Sequence, residues 1–146
     1  VCSSDLKPAT VFGPVAVTPD ELGEGWHADG RIHLDMKVSR NGEWFGHPNG
    51  REMDWSFGEL LARLGLNRNL RAGTILGTGT VSNKAARTVG SACLAEKRAL
   101  EKIETGDSTT QFLKLGDRLR FEVVGADGQS IFGAVDHSFV PFKAQQ

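Results

Sequence analysis

Tyrosine is absent from the 146 residues, cysteine occurs twice, and neither sign of charge dominates. Seventeen Lys and Arg stand against 18 Asp and Glu, a formal net charge of −1. That balance gives no basic field of the kind nucleic-acid binding requires, so no nucleic-acid partner is expected. No apolar run approaches the roughly 20 residues of a membrane span, so no membrane partner is expected either. Cys2 and Cys93 are too few and too far apart for a disulfide framework. Two reduced thiols suit a cytoplasmic protein, the expected localisation. No targeting segment is visible, and there is no initiator methionine. The missing tyrosine has no physical account; eight Phe and three Trp supply the aromatic residues.

What is abundant is glycine: 18 of 146 residues, about 12% against the usual ~7%. The glycines separate short apolar runs, the pattern of a turn-rich and strand-rich chain. Ile32 to Ser39 alternates, with Ile32, Leu34, Met36 and Val38 on one face, and Asn41-Gly42 follows as a hairpin turn. Glu43 to Gly46 reads as the return strand. Phe12 to Val17 contains Pro14 and reads as an edge strand or an extended entry segment. Thr18-Pro19-Asp20-Glu21 starts a helix that Gly23 and Gly25 stop within about one turn. Ser56-x-x-Glu59 is a capping box, and Phe57, Leu60, Leu61 and Leu64 recur at helical spacing up to Gly65. This predicts one main helix over about 55–65.

Ile75 and Leu76 start as a strand and give way to Gly77-Thr78-Gly79-Thr80-Val81-Ser82-Asn83. Residues 84–91 read as a loop. Cys93 to Ile103 fits a helix by composition, or a strand with Cys93, Ala95 and Lys97 on one face. Leu119, Phe121 and Val123 alternate with charged residues, and Asp127-Gly128 turns the chain back through Ile131 to Val135. Six to eight short strands with one good helix make an α+β fold with a dominant antiparallel or mixed sheet, rolled or sandwiched.

Three features could carry chemistry. Glycines in the Gly-Thr segment let backbone N–H groups approach a ligand, and its hydroxyls add donors, which suits an anion or carboxylate; a β-bulge at a sheet rim is the plainer reading. Glu96 could serve as a general base or orient one, against a plainer reading in which it pairs with Lys97 or Arg98 at the surface. His27, His33, His47 and His137 show no metal-ligand spacing. His33 reads as solvated, and His137 and its neighbour Asp136 should point to opposite faces of a strand. Lys7 taken alone is uninformative.

The residues also resemble a known family. Phe12 to Leu22 is similar to the stretch that follows the active-site lysine in fumarylacetoacetate hydrolase family proteins. Arg71-Ala72-Gly73-Thr74-Ile75-Leu76-Gly77-Thr78-Gly79-Thr80 resembles that family's L-x-P-G-D-x-I-x-T-G-T block. Phe112-Leu113-Lys114-Leu115-Gly116-Asp117 resembles its F-L-K-P-G-D block. Ala72, Thr74 and Leu115 depart from the pattern at turn positions. The resemblance implies a mixed β-roll, a divalent cation (Mg²⁺, Mn²⁺ or Ca²⁺), 1,3-diketo or 2-oxo acid substrates, and commonly a homodimer. Members hydrolyse C–C bonds, or act as isomerases, decarboxylases or hydratases; a non-catalytic ligand-binding domain is the remaining alternative. By position, Thr80 and Gly79 match the substrate-binding loop, and Lys7 matches the lysine near the metal and substrate. Glu96, after Gly90-Ser91-Ala92-Cys93-Leu94-Ala95, matches the carboxylate that pairs with a catalytic histidine. Asn83 stands where members often carry glycine and could keep the loop's shape at positive φ.

The family's Glu-x-Glu and Asp metal ligands, and its histidine, lie upstream of the lysine. None of residues 1–6 can supply them. Val1-Cys2-Ser3-Ser4-Asp5-Leu6 back-translates to GTG-TGC-TCT-TCC-GAT-CTN, which matches the end of a sequencing adapter. The expectation is therefore a foreign segment at 1–6, the C-terminal part of a catalytic domain at 7–142, and a frayed tail at 143–146. Such a chain, truncated at its N-terminus, holds half a site and is expected to be inactive.

Overall fold

The computed structural model describes residues 10–141. Lys7, Cys2 and the tail at 143–146 lie outside the described residues.

Four antiparallel strands form one sheet in the order β2-β1-β3-β4: β1 Met36–Arg40, β2 Glu43–Gly46, β3 Arg118–Val123 and β4 Val135–Ser138. The β1–β2 turn is local chemistry. Asn41 at φ 55 and Gly42 at φ 83 both take left-handed backbone, which a two-residue hairpin turn demands. The register slips between Val38 and Ser39, so that Val38 faces Gly46 while Ser39 faces Trp44. Phe45 is the extra residue of that bulge. β3 lies between β1 and β4, with Val38 opposite Phe121 and Phe121 opposite Val135. These residues share the apolar face.

The other face is ionic. Asp136 accepts from Arg118 Nε at 2.6 Å and Arg120 Nη1 at 3.0 Å, and Arg120 also meets Glu122 at 2.8 Å. His137 falls opposite Leu119, so Asp136 and its neighbour do point to opposite faces. At the sheet's end Asp117 accepts from Asn41 Nδ2 at 2.8 Å, the Lys114 amide at 2.9 Å and Arg40 Nη2 at 2.6 Å. Hydrogen bonds from Asn41, Lys114 and Arg40 hold the Asp117 carboxyl at about 2. The Arg118 and Arg120 bonds hold Asp136 at about 2 as well.

Both carboxyls lie below their unfolded value of about 3.9. Their stabilisation is therefore complete above about pH 4 and is lost as pH falls from there through about 2. Urea midpoints followed by circular dichroism should fall steeply across that window. An Asp117→Asn/Asp136→Asn double variant should show a flatter decline; a wild-type slope in that variant rejects the assignment.

Three helices complete the described chain: α1 Phe57–Gly65, α2 Ala86–Val89 and α3 Leu94–Thr105. The capping box of α1 is closed in both directions: Ser56 Oγ accepts from the Glu59 amide at 3.3 Å, and the Ser56 amide donates to the Glu59 carboxylate at 2.8 Å. Trp26 packs on Phe57 with ring centroids 5.8 Å apart, which docks the start of α1 on the turn closed by the Trp26–Ile32 bridge.

Several expectations need correction. The main helix at 55–65 is real, but α3, at 12 residues, is the longer one. Residues 84–91 contain the short α2 rather than loop alone. Thr18 to Leu22 makes a single turn, with the Leu22 amide on Thr18 O at 3.2 Å, followed by a 3₁₀ turn at Gly23–Gly25. The second hairpin turns at Asp127-Gly128 and returns through Ile131 as expected, with Val124 bridged to Ser130 and the Ile131 amide on Val123 O at 2.9 Å, and its regular ladder with β3 resumes at Val135–Ser138. Four strands stand where six to eight were expected. Among the described residues, Phe12 to Val17 and the Ile75-Leu76 run join no ladder. Extended backbone becomes a strand only where a neighbour aligns its own N–H and C=O groups. Val15 finds a single such bond, to Phe132 O at 3.1 Å.

The core is thin. Among the described residues, Val38, 4% exposed, and the fully buried Pro48 are the sizeable apolar side chains out of contact with water. Ile75 is 71% exposed, Leu115 67% and Phe12 60%.

Candidate functional site

The Gly-Thr segment begins after a turn in which the Thr74 amide meets Arg71 O at 3.0 Å and Gly73 takes φ +85. From Ile75 to Val81 no backbone amide donates to a described residue. Among the described residues the segment is an arch of amides without acceptors, not a β-bulge in a ladder. Gly79 sits at φ +83, where a side chain would be strained, and a Cβ there would meet nothing within 4 Å. Glycine is thus needed for conformation, and the space beside it is open.

Thr80 lies on a boundary. On one side is a 270 Å³ cavity over the apolar sheet face, lined by Val38, Phe45, Cys93, Leu94, Leu113 and Phe121. On the other is a 180 Å³ cavity lined by Glu52, Asp54, Trp55, Thr78 and Ser82.

The far end of the arch is pinned by side chains. Asn83 Oδ1 accepts from the Asn49 amide at 2.7 Å, and its Nδ2 donates to Asn49 O at 2.8 Å. Glu52 accepts from the Lys84 amide at 2.7 Å. Asn83 does not adopt positive φ; Asn41 is the only described non-glycine residue that does. Asn83 instead imitates a strand neighbour, supplying one donor and one acceptor to a backbone that lacks a partner there.

Glu96 belongs to the first turn of α3, not to a strand. Its carboxylate accepts from the hydroxyls of Ser82 and Ser91. Ser91 is 2% exposed, and its Oγ also accepts from the Cys93 amide at 2.9 Å. The expected surface pairing with Lys97 or Arg98 is absent: Lys97 lies over the Phe45 ring at 5.3 Å, and Arg98 lies over the Phe112 ring at 4.4 Å. A carboxylate at a helix N-terminus is also favoured by the helix dipole. The fold therefore joins Glu96 to the Gly-Thr arch through Ser82. Sequence reasoning missed Ser82 and Asn49 and gave Asn83 a different role, because these act through partners 14 and 34 residues away; it also missed Ser91, whose partners Cys93 and Glu96 are near in sequence but meet it only once α3 forms. Cys93, at the head of α3, is a free thiol. The structure does not describe Lys7.

The histidines differ from expectation. A turn closed by His27 N–H to Arg31 O at 3.0 Å, with Gly30 at φ +74, stacks the His27 and His33 rings 4.1 Å apart. Asp29 bridges them, at 3.1 Å from His27 Nδ1 and 3.3 Å from His33 Nε2. Burial acts to raise the Asp29 carboxyl, but hydrogen bonds from His27, the Arg31 amide and His33 leave it below its ordinary value. These three residues form the one metal-like cluster among the described residues. They do not fit a divalent cation as arranged. Asp29 already accepts from both imidazoles, and the Arg31 guanidinium 3.5 Å away puts a positive charge where a cation would sit. The geometry is a His–Asp–His clasp.

The family model for the fumarylacetoacetate (FAA) hydrolase C-terminal region matches residues 3–140. The chain belongs to that family. A fumarylacetoacetase from Caenorhabditis elegans is 31% identical over 126 residues, covering 82% of this chain. The chain spans 30% of that relative's length. The α+β architecture with one antiparallel sheet and few helices is compatible with the fumarylacetoacetate hydrolase C-terminal domain. Among the described residues no helix is long and apolar enough to cross a membrane.

Proposed function

We propose that the chain is part of a metal-dependent hydrolase that cleaves a C–C bond in fumarylacetoacetate- or acylpyruvate-like 1,3-diketo acids. The observation that carries this reading is the joining of Glu96 to the Gly-Thr arch: a carboxylate and a row of free donors share one ridge. In this reading Thr80 and the Gly79 backbone bind the acid or keto oxygens of the substrate. Glu96 orients or accepts the proton from a histidine supplied outside this chain, and Lys7 adds positive charge beside the substrate. A divalent cation, Mg²⁺ in the first instance, supplies Lewis-acid polarisation of the carbonyl. In this reading its ligands are the family's Glu-x-Glu and Asp, upstream of the lysine that Lys7 matches, and not the His27–Asp29–His33 clasp. The exposed apolar residues are surface for the rest of the catalytic domain and for a homodimer partner.

The test is acetylpyruvate hydrolysis, followed by loss of the enol absorbance. The 146-residue chain alone is expected to give no turnover. Extended upstream from its own gene to include the Glu-x-Glu and Asp segment, the protein is expected to turn over acylpyruvates with Mg²⁺ and to stop with EDTA. An extended protein that hydrolyses no acylpyruvate rejects the reading.

A further inference from the structure

We propose that Glu96 is also a positioning residue: its carboxylate, seated on α3 by Ser91, latches the Gly-Thr arch through the hydroxyl of Ser82 and so sets the free donors of Thr78 to Thr80. That those donors receive the acid or keto oxygens of an oxo acid rests on the function proposed above; the latch itself does not.

The geometry separates the arch into held and unheld parts. Its entry is held by the Arg71–Thr74 turn and its exit by the Asn83 clasp on Asn49. Between them, no amide from Ile75 to Val81 donates to a described residue, and a Cβ at Gly77 or Gly79 would touch nothing within 4 Å. Among the described residues no atom packs on the side where a Cβ of either glycine would stand, so packing there does not fix them. The only side-chain tie from this stretch to α3 is Ser82 on Glu96. That tie has a rigid anchor. Ser91 is buried, its Oγ is engaged by the Cys93 amide at 2.9 Å, and it donates to the other oxygen of the same carboxylate. Each carboxylate oxygen therefore takes one serine, one from the arch and one from the helix base. An ionised carboxylate that accepts two hydroxyls fixes their separation, because charge-assisted bonds are short and directional. Ser82 is exposed, so removing its hydroxyl should not disturb folding.

The test is ¹⁵N relaxation on the 146-residue chain. In the wild type, the Gly77 and Gly79 amides are expected to show order parameters near 0.85; in Ser82→Ala and Glu96→Ala these should fall below about 0.6. Ser82→Thr keeps the hydroxyl and is expected to restore the wild-type values. Amides of Val38 and Phe121 should be unmoved throughout, which certifies the fold. Arch glycines below about 0.6 in the wild type, or unchanged in Ser82→Ala, overturn the latch. Acetylpyruvate titrated into the wild-type chain separates the two ideas. If the variants loosen the arch but acetylpyruvate shifts none of its amides, the latch is supported and its assignment to an oxo acid is overturned. Shifts confined to residues 77–82, lost in Ser82→Ala, support both.

Discussion

Gly90→Ala is expected to cost the protein about 3–5 kcal/mol, most of the stability that a domain with so thin a core can hold. Two effects add. Gly90 sits at φ 71 and ψ −159, a conformation that side-chain-bearing residues rarely adopt. A Cβ there would also lie 2.4 Å from Phe45 O, 2.6 Å from Gly46 Cα and 2.9 Å from Trp44 Cη2. Two of those atoms are backbone, so they cannot swing aside. The opposite side of the contact is as tight: a Cβ on Gly46 would stand 2.5 Å from both Ser91 N and Ser91 O. Gly46 and Gly90 form a bridge in which two backbones touch. That bridge places Ser91, and through it the start of α3 and Glu96. Two controls isolate the cause. Gly42→Ala carries positive φ in open space and should cost about 1 kcal/mol. Gly58→Ala lies inside α1 with no crowding and no positive φ, and should stabilise by about 0.5–1 kcal/mol. Urea unfolding followed by circular dichroism measures all three. A Gly90→Ala loss no larger than that of Gly42→Ala would show that the backbones can separate at little cost.

In the extended, catalytically complete protein, Glu96→Gln is expected to lower kcat by about 10²–10⁴-fold, the usual contribution of a positioned acid–base group. Glutamine keeps the shape and an acceptor oxygen, so Ser82 can still bond and the arch keeps its place. What is lost is the negative charge that would stabilise a protonated histidine. Ser82→Ala removes the opposite half: the charge stays and the arch loosens, so KM should rise while kcat changes less. The split between the two constants assigns the roles. Wild-type hydrolysis by Glu96→Gln would remove Glu96 from the chemistry while leaving the latch intact.

Local patterns were legible in the sequence where the responsible atoms lie within a few residues of each other. Asn41-Gly42 needs only its own two dihedrals to make a hairpin, and Ser56 reaches Glu59 within one helical turn. Residues 93–103 were ambiguous because composition alone carries no partner. The structure makes Leu94–Thr105 helical, with Ser91 holding the amide of the N-cap residue Cys93 and Glu96 in the first turn. Strand number was overestimated for the same reason. Ile75-Leu76 and Phe12 to Val17 have strand-like residues, but a strand is a relation between two segments. The histidines failed in the other direction: a spacing of six residues reveals nothing until Gly30 turns the chain and stacks His27 on His33.

By itself the sequence determined the α+β class, the first hairpin, the capped α1, the Gly-Thr arch and the family, because these depend on local dihedrals, periodicity and residue order. Only the tertiary structure decided that Glu96 faces Ser82 and Ser91 rather than Lys97 or Arg98, that Asn83 clasps Asn49, and that Gly46 and Gly90 must touch. Each of these is a meeting of segments separated by up to 44 residues, and a meeting is set by how the sheet and α3 pack, not by any single segment's preference. The early absences keep a reduced meaning. The scarcity of cysteine resolves, among the described residues, to a free Cys93 at the head of the helix that carries Glu96.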